Sequence, residues 1–144
     1  MTSQEMLSHI DHTQLKAFAT WEDIKMLCDE AVLYKTASVC IPSCYVKRVK
    51  DSYKDALNIC TVVGFPLGYA NTEAKVAETK KAILDGANEI DMVINISRLK
   101  DKDDDYVYED VKAVVEAANG NVVKVIIETC LLTEEEKVRA CKLC

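Results

Sequence analysis

The sequence predicts an α/β fold built on a parallel sheet. Short apolar runs begin near residues 38, 59, 89 and 122, and segments with helical spacing fill the intervals. Alternation of this kind assembles right-handed βαβ units. The runs are almost continuously apolar, as strands covered on both faces are. Glycine-rich phosphate loops of the Walker or dinucleotide type are missing, because the four glycines fall elsewhere. An open doubly wound sheet would therefore lack its usual nucleotide signature.

In chain order, Ser3 to Ser8 reads as a short helix and Ile10 to Leu15 as a compact loop. Thr20-Trp21-Glu22-Asp23 is a near capping box, with acids in the first turn of a helix. Ile24, Leu27, Cys28 and Ala31 recur at three and four residues and give that helix one apolar face. Ser38 to Ile41 is a strand stopped by Pro42. Tyr45 to Leu57 is the next helix, with Val46, Val49, Tyr53 and Ala56 inward. Ile59 to Val63 is the second strand, ended by Gly64-Phe65-Pro66-Leu67-Gly68.

Thr72 caps a third helix that runs to Asp85, with Val76, Ile83 and Leu84 among its apolar positions. Gly86 stands where a left-handed C-terminal residue is favoured. Ile90 to Ile94 is the third strand. The charge run Lys100 to Asp105 belongs to a solvated loop or a helix start. The helix from Tyr106 to Ala118 buries Val107, Val111, Val114 and Val115. Val122 to Ile127 is the fourth strand, and Thr133-Glu134-Glu135-Glu136 opens a last helix.

The totals fit one soluble globular domain over residues 1–144 with a sizeable core: 49% of residues are hydrophobic and 29% charged. A formal net charge of -6 argues against nucleic-acid and anionic-membrane partners. It leaves room for a small phosphorylated molecule in a local positive pocket. No apolar run approaches the roughly 20 residues of a membrane span, and the first nine residues do not read as a secretory signal. Seven cysteines, of which Cys28, Cys40, Cys60 and Cys141 lie in apolar segments, read as buried reduced thiols of a cytoplasmic protein. Cys40/Cys44 and Cys141/Cys144 resemble metal or redox pairs only superficially, since no histidine lies near either. His9 and His12 read as hydrogen-bonded loop histidines.

Two residues break the strand pattern. Asp91 interrupts Ile90 to Ile94, where Val or Ile is expected, and Lys124 stands amid Val and Ile in the fourth strand. A buried charge costs several kcal/mol unless it is paired or hydrogen-bonded, so each is the natural partner of the other. The pair reads either as a structural ion pair or as a proton-transfer environment at the C-terminal side of a barrel.

Five motifs then carry a resemblance. They are Ile10-Asp11-His12-Thr13-Gln14-Leu15-Lys16, Ser38-Val39-Cys40-Ile41-Pro42, Val63-Gly64-Phe65-Pro66-Leu67-Gly68, Gly86-Ala87-Asn88-Glu89-Ile90-Asp91-Met92-Val93 and Val123-Lys124-Val125-Ile126-Ile127-Glu128-Thr129. In this order and spacing the chain resembles the deoxyribose-phosphate aldolase family over essentially its whole length. The resemblance implies a TIM (β/α)8 barrel that reversibly cleaves 2-deoxy-D-ribose 5-phosphate to acetaldehyde and glyceraldehyde 3-phosphate. It implies a class I mechanism, in which a lysine forms a Schiff base, the protonated imine serves as electron sink, and neither metal nor cofactor is required.

By the same resemblance Asp91 is the proton donor and acceptor. Lys124 is the lysine beside the nucleophile, Thr13 lies near the substrate, and Cys40 is a barrel-lining thiol. The family's Schiff-base lysine belongs to a strand-five segment reading like Lys-Thr-Ser-Thr-Gly, and its phosphate-binding glycines to later loops. No such segment occurs in the sequence. The expectation is thus the first four βα units of the barrel, truncated before strand five and lacking the nucleophile. The alternative is a non-catalytic half-barrel that forms a homodimer, or pairs with a complementary half, through its open strand edges.

Overall fold

The computed structural model describes residues 2–144. Helix α1 (Ser3–Leu7) precedes β1 (Asp11–Thr13), α2 (Trp21–Tyr34), β2 (Ser38–Ile41), α3 (Ser43–Tyr53) and β3 (Ile59–Val63). Then come α4 (Thr72–Asp85), β4 (Glu89–Val93), α5 (Ile96–Lys100), α6 (Asp104–Ala117), β5 (Val122–Ile126), a 3-10 turn (Thr129–Leu131) and α7 (Glu134–Leu143). The fold is α/β, with a parallel five-stranded sheet in the order β1-β2-β3-β4-β5.

Four strands are expected and five are present among the described residues. The additional one is β1, inside the stretch expected to be a loop. Its three polar residues carry no apolar run, and what makes them a strand is pairing with β2: Asp11 opposite Ser38, His12 opposite Val39, Thr13 opposite Cys40. The count of four βα units is corrected accordingly, and Val122–Ile126 is the fifth strand. Helix α5 was also not expected; Asn95 caps it by accepting the Arg98 amide.

The chain divides into two compact units, one of residues up to Val62 with Ala82–Glu89, the other of Val63–Lys81 with Ile90–Cys144. In the first, the Thr20–Asp23 capping box starts α2, an arrangement worth about 1 kcal/mol. Ile24, Leu27, Cys28 and Ala31 of α2 are buried, as are Val39, Cys40 and Ile41 of β2 and Val46 and Val49 of α3. Cys40 stands opposite Cys60, and Ile41 opposite Thr61. Arg48 stacks on the Trp21 ring at 3.8 Å from its centroid. Ala56, expected inward, is exposed, because α3 ends at Tyr53.

In the second unit Ile94, Leu99, Val107, Leu132 and Ala140 form a buried cluster, with Ile96, Val125, Ile127 and Leu143 packed against it. Asp103 caps α6 by accepting the Tyr106 amide, so the charge run supplies a helix start. Arg139 of α7 donates to the Leu99 carbonyl, and its Nε lies 3.2 Å from Asp104. Val107, Val111 and Val114 are buried as expected, whereas Val115 is exposed. The buried stripe includes Asp110 instead, one turn before Val114. Cys141 is likewise exposed, unlike Cys28, Cys40 and Cys60.

Candidate functional site

Side chains alternate across a strand, so Glu89, Asp91 and Val93 share one face of β4 while Ile90 and Met92 are buried on the other. On β5 the same rule groups Lys124 with Val122 and Ile126. The two strands are tied by the Ile94 amide, which donates to the Ile126 carbonyl at 3.0 Å. Asp91 lies three positions before Ile94 and Lys124 two before Ile126. The result is an Nζ–Oδ1 distance of 3.1 Å, with Asp91 17% exposed and Lys124 38% exposed.

This is a contact of charges without hydrogen-bond alignment, and Asp91 Oδ1 is a buried oxygen that no donor among the described residues serves. A buried acceptor left open costs about 1–3 kcal/mol. Such an atom is available to a proton carried by something else, which is what a general acid/base needs.

Thr13 and Cys40, the other two candidate residues, lie in the first unit. They stand opposite each other across β1 and β2. The Thr13 hydroxyl donates to the Asp11 carbonyl at 2.8 Å, and the Asp11 carboxylate accepts from Ser38 at 2.7 Å. Cys40 is buried. His12 lies on β1 instead of in a loop, and its Nε2 is 2.8 Å from the Glu30 carboxylate; His9 bonds the Glu5 carbonyl. Burial pushes the Cys28 thiol up to about 11, so it is a poor source of thiolate at neutral pH.

One buried constellation escaped the sequence reading. Lys75 of α4 is wholly buried, with Nζ 2.5 Å from Asp110 Oδ2 and 3.0 Å from the Val93 carbonyl. Thr72 donates to the other Asp110 oxygen at 2.8 Å. Glu78, one turn on, accepts the Gly64 amide at 2.8 Å. Leu84, one of the apolar positions of α4, is 81% exposed; the inward stripe of the helix runs through Lys75, Thr79 and Ala82. The available signal was a lysine and an aspartate each standing in an otherwise buried helical stripe.

Residues 6–141 match the model of the DeoC/LacD family of aldolases. The chain belongs to that family. Among its relatives, the deoxyribose-phosphate aldolase of Clostridium botulinum (strain Alaska E43 / Type E3) is 60% identical over 142 residues, covering 99% of this chain and 64% of the relative. The chain thus spans a little under two thirds of the length of that curated aldolase. Of the solved structures, a candidate deoxyribose-phosphate aldolase from Coccidioides immitis superposes with a TM-score of 0.96 at 38% identity, over 99% of this chain and 57% of that one. The deoxyribose phosphate aldolase of Aeropyrum pernix, described as a tetramer, gives 0.89 at 31% identity over 97% and 59%.

Proposed function

We propose that this chain contributes the proton-transfer part of a deoxyribose-phosphate aldolase, with Asp91 as the group that takes and returns the proton. The observation that supports this most is the buried Asp91 oxygen facing Lys124, with no donor among the described residues aligned on it. Lys124 serves as the charge partner. The imine is assigned to a different lysine, as the family resemblance implies. Thr13 and Cys40 line the substrate side of β1 and β2. The substrates are the phosphorylated sugar and the two aldehydes, handled in the cytoplasm without metal or cofactor as part of deoxyribonucleotide catabolism, and the strands are part of a TIM barrel.

The test joins this chain to the remaining third of the Clostridium botulinum relative. That protein should release acetaldehyde from 2-deoxyribose 5-phosphate, and borohydride should trap acetaldehyde on a lysine other than Lys124. Absence of turnover and of any trapped lysine removes the proposal. An adduct on Lys124 removes its role as charge partner.

A second reading, self-association through the edge strand, is supported by β5. None of its residues is fully buried, and Val122 is 53% exposed, whereas all of β2 is buried. Such an edge invites a partner strand. Light scattering after size-exclusion chromatography of the 144-residue chain should give a dimer mass; a monomer at micromolar concentration contradicts this reading.

A further inference from the structure

The Val93–Ile94 peptide is held from both sides. Its carbonyl accepts from the Lys75 ammonium at 3.0 Å, and its N–H donates to Ile126 of β5 at 3.0 Å. A cationic donor on a peptide oxygen polarises the whole amide and strengthens the bond its N–H makes. Lys75 is itself immobile. Its stem passes beneath Gly64, where an added Cβ would lie 3.0 Å from Lys75 Cε. Its Nζ is fixed by Asp110, which Thr72 orients. The neighbouring Gly64 amide is taken by Glu78. Two side chains one turn apart on α4 therefore take up main-chain groups at the C-terminal ends of β3 and β4. The peptide they fix lies two residues after Asp91, and the Ile126 oxygen it reaches lies two residues after Lys124.

We propose that Lys75 is a positioning residue, which sets the register of Asp91 against Lys124 through the Val93–Ile94 peptide. This deepens the proposed function and rests on Asp91 and Lys124 being its working pair, but its test needs no turnover. A buried ion pair is not required for the fold as such, since apolar residues of similar volume commonly replace one at little cost. The pair at Lys75 and Asp110 is placed where it acts on a single peptide, and that peptide connects the two strands carrying the charges.

The test is NMR on the 144-residue chain at fixed pH. In the unaltered protein the Ile94 amide should be among the slowest to exchange in β4 and β5; an Ile94 amide exchanging as fast as frayed ends overturns the proposal. The Asp91 carboxyl carbon resonance should move when Lys124→Met is introduced. In a Lys75→Met/Asp110→Leu background, which removes both buried charges together, that response to Lys124→Met should be lost. In a Val111→Ala background, a core lesion on α6 that leaves both buried charges in place, it should persist. An unchanged response in the first background, or a lost one in the second, overturns the positioning role. Neither outcome depends on whether the joined enzyme turns over, so failure here is distinct from failure of the aldolase reading.

Discussion

Asp91 Oδ1 and Lys124 Nζ lie 3.1 Å apart on β4 and β5, close enough for charge to matter and misaligned for a hydrogen bond. With Lys124 more than one third exposed, water screens much of the attraction. Lys124→Met should therefore lower unfolding free energy by less than about 1 kcal/mol. Urea denaturation measures this, and a loss of about 3 kcal/mol or more would make the pair a structural element instead.

The pair at Lys75 and Asp110 should behave in the opposite way, because neither side chain is exposed beyond 1%. Lys75→Met strands a buried carboxylate and should cost about 3–5 kcal/mol. Lys75→Met/Asp110→Leu should recover most of that loss in the same urea assay. A double variant as unstable as the single one would show that the fold depends on the charges themselves.

How much of this was legible in the sequence follows from what each residue contrasts with. Asp91 and Lys124 stood out because a charge in a strand of Val and Ile has few ways to be stable, and the structure does bring the two together. Strand β1 did not stand out, since Asp11-His12-Thr13 has no periodicity of its own and is a strand only through its register with β2. Lys75 was hidden for another reason. Lysines are common on helices, and the apolar positions of α4, Leu84 among them, do not mark the stripe that Lys75 occupies. Which of two faces a helix buries depends on what lies opposite, and Asp110 lies 35 residues further on.

Two glycines separate conformational cost from steric cost. Gly68 has φ +73, and an added Cβ would lie 2.1 Å from the Ile94 carbonyl oxygen; Gly120 has φ +87 with nothing within 4 Å. Gly120→Ala should cost about 1 kcal/mol, the conformational part alone. Gly68→Ala should cost clearly more, because backbone at the end of β4 must move. Equal melting temperatures for the two variants would contradict the packing described at Gly68.

Acid should loosen α7 before it unfolds the core. Lys100 donates to Glu136 at 2.6 Å, and the Thr133 amide donates to the same oxygen at 2.8 Å. These contacts hold the Glu136 carboxyl below its ordinary value near 4.5, the Lys100 bond being the larger cause. A depressed acid contributes stability that is present above the unfolded value and lost as pH falls through the folded one. Protection of the α7 amides, relative to their intrinsic exchange, should therefore fall below about pH 4.5, and Glu136→Gln should flatten that dependence. An α7 whose protection is the same at pH 6 and pH 3.5 would contradict the assignment.

In the proposed function the Asp91 carboxyl carries the proton in aldol cleavage. The most direct measurement of that role is kcat for 2-deoxyribose 5-phosphate in the joined protein, with Asp91→Asn against the unaltered residue. Removing a positioned acid/base should lower kcat by about 10²–10⁴-fold while the acetaldehyde imine still forms on its lysine. Equal turnover by the two proteins would mean that the proton travels by another route.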